Sequence, residues 1–240
     1  MKTIAIVQAR MGSTRLPGKV LLPLAGEPML TRVIHRLRRA SSLDEVIIAT
    51  TTLAKDDLLA TFCQEHGVAC FRGDENDVLD RYYRAAEVHH ADRVVRITSD
   101  CPLIDGEVVD RVVAELNAEE VDFVSNIGVP RTFPRGLDVE ALPRTTLARV
   151  WNECHDPAWR EHVTLYIHKR PELFRTRNIE HDSDLSSRRW TVDTPEDLEF
   201  ASRVYEHFGN DDFSWREALA IVEQHPEWSE INSVIQQKVT

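Results

Sequence analysis

Residues 10–20, RMGSTRLPGKV, place Arg10, Arg15 and Lys19 beside Gly12 and Gly18, directly behind the apolar run Thr3 to Ala9. Glycines let backbone N–H groups turn toward an anion, and three cations held in one loop supply the charge that a triphosphate requires. Arg fits phosphate oxygens bidentately, whereas Lys acts as a point charge. The cluster stands out because the 240-residue chain carries a formal net charge of -11. The loop is not a Walker A motif: Gly12 to Gly18 is one residue too long, and Val20 stands where Ser or Thr would hold magnesium. It lacks the GxGxxG spacing too, so P-loop ATPase and Rossmann dehydrogenase readings lose their defining residues. A surface turn with solvated arginines is the plainer alternative.

Two carboxylates stand where they could serve the same site. Asp100 follows the apolar run Arg93 to Thr98, and Asp193 follows Arg189 to Val192. Magnesium takes one or two carboxylates together with substrate phosphates and waters, so two aspartates at strand ends suit it. A strand-end Asp also caps helices, and DTPED reads equally as a cap followed by Pro at the first helical position. Asp105 and Glu107 read as the acidic start of the next helix.

The elements that must position these groups follow from periodicity. Ile- and Val-rich runs alternate with amphipathic stretches, as when strands buried on both faces of a parallel sheet alternate with covering helices. Strands are expected at Thr3 to Ala9, Glu45 to Thr50, Ala69 to Phe71, Arg93 to Thr98 and Asp122 to Asn126. Helices are expected at Met29 to Ala40, Asp56 to His66, Val78 to His90 and Glu107 to Glu119, with Pro28 in a first turn and Gly67 at a C-terminus. In such a sheet, ligands bind beyond the C-terminal strand ends, which is where the basic loop lies. The segment VPRTFPRGLDVEALPRTT then breaks the rhythm with its prolines and reads as a substrate-facing insertion with short extended pieces. A helix Thr145 to Glu153, the stretch Ala158 to Lys169, strands Leu173 to Ile179 and Arg189 to Val192, and a helix Pro195 to His207 complete the pattern. The fold class is therefore α/β, three-layer, with a mostly parallel Rossmann-like sheet. Residues 1–209 form the main domain, and residues 210–240 a helical C-terminal extension anchored by Trp215 and Trp228.

Composition excludes several functions. The acidic balance argues against a nucleic-acid or anionic-membrane partner. Cys63, Cys70, Cys101 and Cys154 show neither a CxxC pair nor zinc spacing, so reduced thiols in a cytoplasmic protein are expected. The opening MKTIAIVQAR is too short for a signal sequence or a membrane span.

QARMGSTRLPGKVLLPLAGEPML closely resembles the opening of sugar nucleotidyltransferases that make CMP-activated acidic sugars. The nearest resemblance is to spore-coat polysaccharide cytidylyltransferase-like proteins, with CMP-KDO and CMP-acylneuraminate synthetases more distant. FRGDENDVLDRYY, RITSDCPLID, PRGLDVE, REHVTLYI and RWTVDTPEDL extend the likeness in order from about residue 2 to about residue 208. The resemblance implies a nucleotide-diphospho-sugar transferase type of fold and transfer of CMP from CTP to a sugar, with pyrophosphate leaving. It implies Asp100 and Asp193 as ligands of Mg²⁺, with Arg10, Lys19 and Asp100 as catalytic residues. Ala9, Arg10, Gly12, Ser13, Arg15, Lys19, Arg81, Thr98 and Ser99 would bind the nucleotide. Arg135, Asp138, Glu140 and His162 would line the acceptor-sugar pocket, and a homodimer would be the assembly. Thr98 and Ser99 replace the Gln-Gly pair of CMP-KDO synthetases, and ENDVL replaces a Ser-Gly-Thr base-binding turn ahead of Asp80 and Arg81. Phosphate and metal chemistry therefore carries over more firmly than base identity. A glycosyltransferase using a nucleotide-sugar donor, or a nucleotide-binding protein without turnover, remains open on the residues alone.

Overall fold

The computed structural model describes residues 1–118 and 120–235. The end of the expected helix at Glu119 and the last five positions of the C-terminal extension lie outside the described residues. The first half of the chain alternates as its periodicity predicts: β1 (Thr3–Gln8), a small hairpin β2 (Pro23–Leu24) and β3 (Glu27–Pro28), α1 (Met29–Leu37), β4 (Glu45–Thr51), α2 (Asp57–Glu65), β5 (Ala69–Gly73), α3 (Val78–Val88), β6 (Arg93–Thr98) and α4 (Gly106–Ala118). The second half is more broken, with β7 (Phe123–Ser125), β8 (Glu140–Pro143), α5 (Arg144–Glu153), α6 (Pro157–Glu161), α7 (Leu165–Lys169) and β9 (Thr176–Asn178). Then come α8 (Pro195–Phe208), α9 (Trp215–Gln224) and α10 (Pro226–Ile231).

Seven strands form one sheet in the order β5-β4-β1-β6-β8-β7-β9. The pairs β5/β4, β4/β1, β1/β6 and β7/β9 are parallel, and β8 runs antiparallel to both of its neighbours. Side-chain alternation along β1 builds two cores at once. Ala5 and Val7 join the core roofed by α1, α2, α4, α8 and α9, while Ile4 and Ile6 join the one roofed by α3, α5 and α7. These are the three expected layers. Strand order turns back at β1: β4 and β5 lie on one side of it and β6 on the other, so the C-terminal ends of β1 and β6 flank the crevice where open α/β sheets bind ligands.

In the first half the β2/β3 hairpin adds to the expected elements and places Pro28 at the N-cap of α1, ahead of its first turn; the larger departures lie in the second half. Among the described residues the run 189–192, expected as a strand, makes a single bridge, Arg189 to Arg135. Its buried Trp190 and Val192 mimic strand alternation, yet its backbone serves other loops: Trp190 N donates to Arg135 O at 2.7 Å and Val192 N to Asp100 O at 2.8 Å. Gly136 sits hard against this run, and a Cβ there would stand 2.6 Å from the Trp190 carbonyl carbon. The expected strand Leu173 to Ile179 contracts to β9, behind a 3₁₀ turn at Pro171–Leu173. The proline-rich insertion contributes β8, a central strand. Ala158 to Lys169 divides into α6 and α7 around Val163, which has φ 51. Phe213 and Trp215 are buried in the same core as α1 and α8, and Trp228 packs partly buried against it. Among the described residues no helix is long and apolar enough to cross a membrane, and all four cysteines are free thiols.

Candidate active site

Gly18 sets the geometry of the phosphate-type loop. Its φ of 67 is a left-handed conformation that glycine adopts without steric cost, and it turns the chain into the 3₁₀ turn Lys19–Leu21. The turn drives Lys19 inward, where its Nζ meets Asp100 Oδ2 at 2.9 Å, Asp193 Oδ1 at 2.9 Å and the Val192 carbonyl at 2.8 Å. The remainder of the loop is braced by the buried Asp56, which accepts from Met11 N at 2.7 Å and from Thr51 Oγ1. Ser13 Oγ accepts from Leu16 N at 3.3 Å.

Each aspartate is held in turn. Asp193 Oδ2 lies 2.8 Å from Arg15 and 3.0 Å from Arg189. Arg189 is fixed by the fully buried Asp197, whose carboxylate also accepts from Asp193 N and Thr194 N. The helix cap in DTPED is Thr194, with Asp197 completing a reciprocal capping box and Pro195 at the first helical position. Asp193 is left to face the cleft. Burial opposes the charged form of Lys19, but Asp100 and Asp193 outweigh it and hold the ammonium above its ordinary pKa. Burial likewise raises the Asp100 carboxyl, and Lys19 overrides it, leaving Asp100 below its usual value.

These groups share one cleft of about 280 Å³, walled by Ala9, Arg10 and Gly12 to Arg15 from the β1 loop, Thr98 to Asp100 at the end of β6, Arg81 from α3, Asp193, and Glu161 with His162 at the end of α6. Every expected nucleotide-binding position, Ala9, Arg10, Gly12, Ser13, Arg15, Lys19, Arg81, Thr98 and Ser99, lies on its wall. Arg10 reaches toward Glu161 at 3.8 Å. Arg81 is buried and donates through Nη1 to Asp74 O at 3.1 Å, while its Nε has no hydrogen-bond partner among the described residues. Burial, partly offset by Tyr82, draws the Arg81 pKa down, as does Arg10.

The acceptor-side residues separate. His162 lines the cleft, but Arg135, Asp138 and Glu140 do not. Asp138 is spent on Arg131 and Gly136 N. Glu140 is 2% exposed and sits in β8, where it pairs with Arg96, accepts from Thr164 Oγ1 at 2.7 Å and lies 3.2 Å from His168 Nε2. Burial would raise this carboxyl, yet Arg96 and His168 draw it down to about 2. Glu140 is thus buried in an internal ion pair away from the cleft wall, where the sequence suggests a sugar contact. Arg135 is half-buried near Arg131 and Arg189, and its guanidinium makes no hydrogen bond or ion pair among the described residues.

Residues 4–225 match the cytidylyltransferase family. The chain belongs to that family. It is 33% identical to the spore coat polysaccharide biosynthesis protein SpsF of Bacillus subtilis, over 92% of this chain and 94% of that protein. A 3-deoxy-manno-octulosonate cytidylyltransferase of Anaeromyxobacter is 29% identical over 84% of this chain and 96% of its own length. Among solved structures, a cytidylyltransferase from Leptospira borgpetersenii superposes with a TM-score of 0.91 at 33% identity, covering 100% of this chain and 99% of that one. The cytidylyltransferase sheet thus carries the nucleotide-diphospho-sugar transferase fold that the motifs imply.

Two features of this cytidylyltransferase site escaped sequence reading. Asp56 and Arg189 each hold a cleft element without projecting into the cleft as a motif. Arg189 stands four residues before Asp193 and eight before Asp197, a spacing that becomes informative only once the α8 cap is fixed. No group of three or more His, Cys, Asp or Glu that could hold a metal occurs among the described residues. The oxygens of Asp100, Asp193 and Val192 nevertheless converge on the Lys19 ammonium, so the protein already stabilises a positive point charge there with hard donors. Two carboxylates of this kind suit a magnesium ion that takes its remaining ligands from phosphate and water.

Proposed function

We propose that the protein transfers the cytidylyl group of CTP to a hydroxyl of an acidic sugar, in the biosynthesis of a surface polysaccharide or glycoconjugate. The hydroxyl oxygen forms a bond to the α-phosphorus, the bond to the bridging oxygen of pyrophosphate breaks, and the hydroxyl proton passes to solvent. The observation that supports this reading is the gathering of Arg10, Arg15 and Lys19 with Asp100 and Asp193 in one cleft, at the strand ends where such sheets bind ligands. Phosphoryl chemistry of this type asks the protein for positioning and charge neutralisation more than for covalent participation. Arg10 and Arg15 hold the triphosphate, and Lys19 turns from its carboxylates toward the departing pyrophosphate. Arg81 and the Thr98–Ser99 edge face the nucleoside. Asp100 and Asp193 would hold Mg²⁺, whose contribution would be to polarise the α-phosphate and neutralise charge. A cytoplasmic homodimer goes with this reading, and light scattering of the purified chain checks the dimer.

The deciding experiment is a pyrophosphate-release screen that crosses four nucleoside triphosphates with nonulosonic, octulosonic and neutral sugars. Release with CTP and an acidic sugar, abolished by chelation of magnesium, is the expected result. Sugar-dependent release with a different nucleotide would reassign the base. No release with any pair, alongside turnover of a nucleotide sugar, would establish a glycosyltransferase instead.

A further inference from the structure

His162 reaches the cleft from an unusual piece of backbone. It lies between α6 and α7, next to Val163, whose φ of 51 places a β-branched residue in the left-handed region that such side chains strongly disfavour. Strain of this kind persists only where the surroundings over-determine it, and it concentrates at functional sites. The Val163 side chain is 1% exposed in the core beneath α3 and α5, which fastens the corner from inside.

Two polar clamps hold the corner on either side. Ahead of it, Arg160 pairs with Asp77 at 2.9 Å and donates to the carbonyls of Trp151 at 3.0 Å and Cys154 at 2.8 Å. Behind it, Thr164 Oγ1 donates to Glu140 Oε1 at 2.7 Å, and Glu140 is itself fixed in β8 by Arg96. Between the clamps the half-buried His162 imidazole lines the cleft, and its ring has no hydrogen bond, ion pair or ring contact among the described residues. A side chain whose backbone is so firmly held, yet whose ring nitrogens are left without partners, is prepared for a ligand.

We propose that Glu140 is a positioning residue: through Thr164 it holds the Val163 corner so that His162 is presented, with free ring nitrogens, to a hydroxyl of the acceptor sugar. The inference rests on the reading of this cleft as a sugar cytidylyltransferase site. Glu140 never touches substrate; it sets the place of the residue that does.

The test uses Thr164, because removing Glu140 itself would strand the buried Arg96 charge and endanger the fold. Thr164→Val deletes the hydroxyl while keeping its shape, and Thr164→Ser restores it. Ring ¹⁵N spectra of the nucleotide-free protein, with the His162 signals assigned by loss in His162→Ala, report the corner without any turnover. Thr164→Val moves or broadens those signals, and Thr164→Ser returns them. With CTP and 3-deoxy-manno-octulosonate as probe substrates, Thr164→Val raises the KM for the sugar about tenfold, the scale of one lost hydrogen bond, with kcat and the KM for CTP unchanged. His162→Ala does the same, and adding Thr164→Val to it costs nothing more, as expected of two residues acting in series. Unmoved His162 signals in Thr164→Val overturn the proposal, and so does a loss shared equally with CTP or additive with His162→Ala. Moved signals in a protein that turns over no sugar leave the corner mechanism standing and overturn the functional reading alone.

Discussion

The two ends of the cleft are built on opposite physical plans. At the end proposed to hold the triphosphate, charges are paired with one another in arrangements that can be exchanged: the buried Lys19 between two aspartates, Arg15 on Asp193, Arg10 loosely on the exposed Glu161. At the end proposed to receive the sugar, the charges behind His162 are committed to the protein: the buried Glu140 pairs with Arg96, accepts from the buried Thr164 and lies against the exposed His168. The first plan suits a ligand that brings its own strong charge and replaces the protein's internal counter-ions. The second suits a weakly charged, hydroxyl-rich ligand, for which shape must be fixed beforehand because binding supplies little energy to create it.

The contrast is sharpest in stability. Glu140→Gln leaves the Arg96 guanidinium buried without its counter-charge, and chemical denaturation is expected to show a loss of about 3–5 kcal/mol. Acid acts on the same group. Its folded pKa of about 2 lies below the ordinary value of 4.5, so its stabilisation is fully present above about pH 4.5 and drains away as pH falls toward 2. Denaturation curves across that window should therefore converge for wild type and Glu140→Gln; parallel curves would place the acid-sensitive group elsewhere. At the phosphate end the larger effect is on rate. Lys19→Ala is expected to lower kcat by about 10²–10³-fold, as when one preorganised donor to a developing charge is lost, with the circular dichroism spectrum preserved. Near-normal turnover would remove Lys19 from the chemistry. The smallest structural effect belongs to Arg135→Ala. With no side-chain hydrogen bond or ion pair to lose among the described residues, the thermal midpoint should correspond to a change within about 0.5 kcal/mol; a large drop would show that the residue belongs to the Arg96–Glu140 network after all.

The same contrast governs what the sequence reveals. The phosphate end is legible because its parts are contiguous: Arg10 to Lys19 follow a strand whose continuous apolar run is unmistakable, and Asp100 closes another. Local chemistry and local position coincide there. The sugar end is assembled across long separations, and Glu140 shows the cost. Its polar character in PRGLDVE suggests a ligand contact, whereas its role is set by Arg96, 44 residues earlier, and by Thr164, 24 later. The strand that carries it, EALP, has no β-branched residue and ends in proline, so nothing local marks it as a central strand. Trp190 and Val192 mislead in the other direction, since alternation is produced there by packing against Gly136 and the β6 loop, not by a ladder.

Asn232 ties the far end of the chain to this chemistry. Its side-chain amide donates at 3.0 Å to both the Arg189 carbonyl and the Asp197 carboxylate, the two residues that support Asp193. Arg189 and Asp197 already hold Asp193 by themselves, and Asn232 adds a brace to that pair from beyond α10. A break in the α8–α9 connection would therefore slacken a brace behind Asp193 without touching a single residue of the cleft.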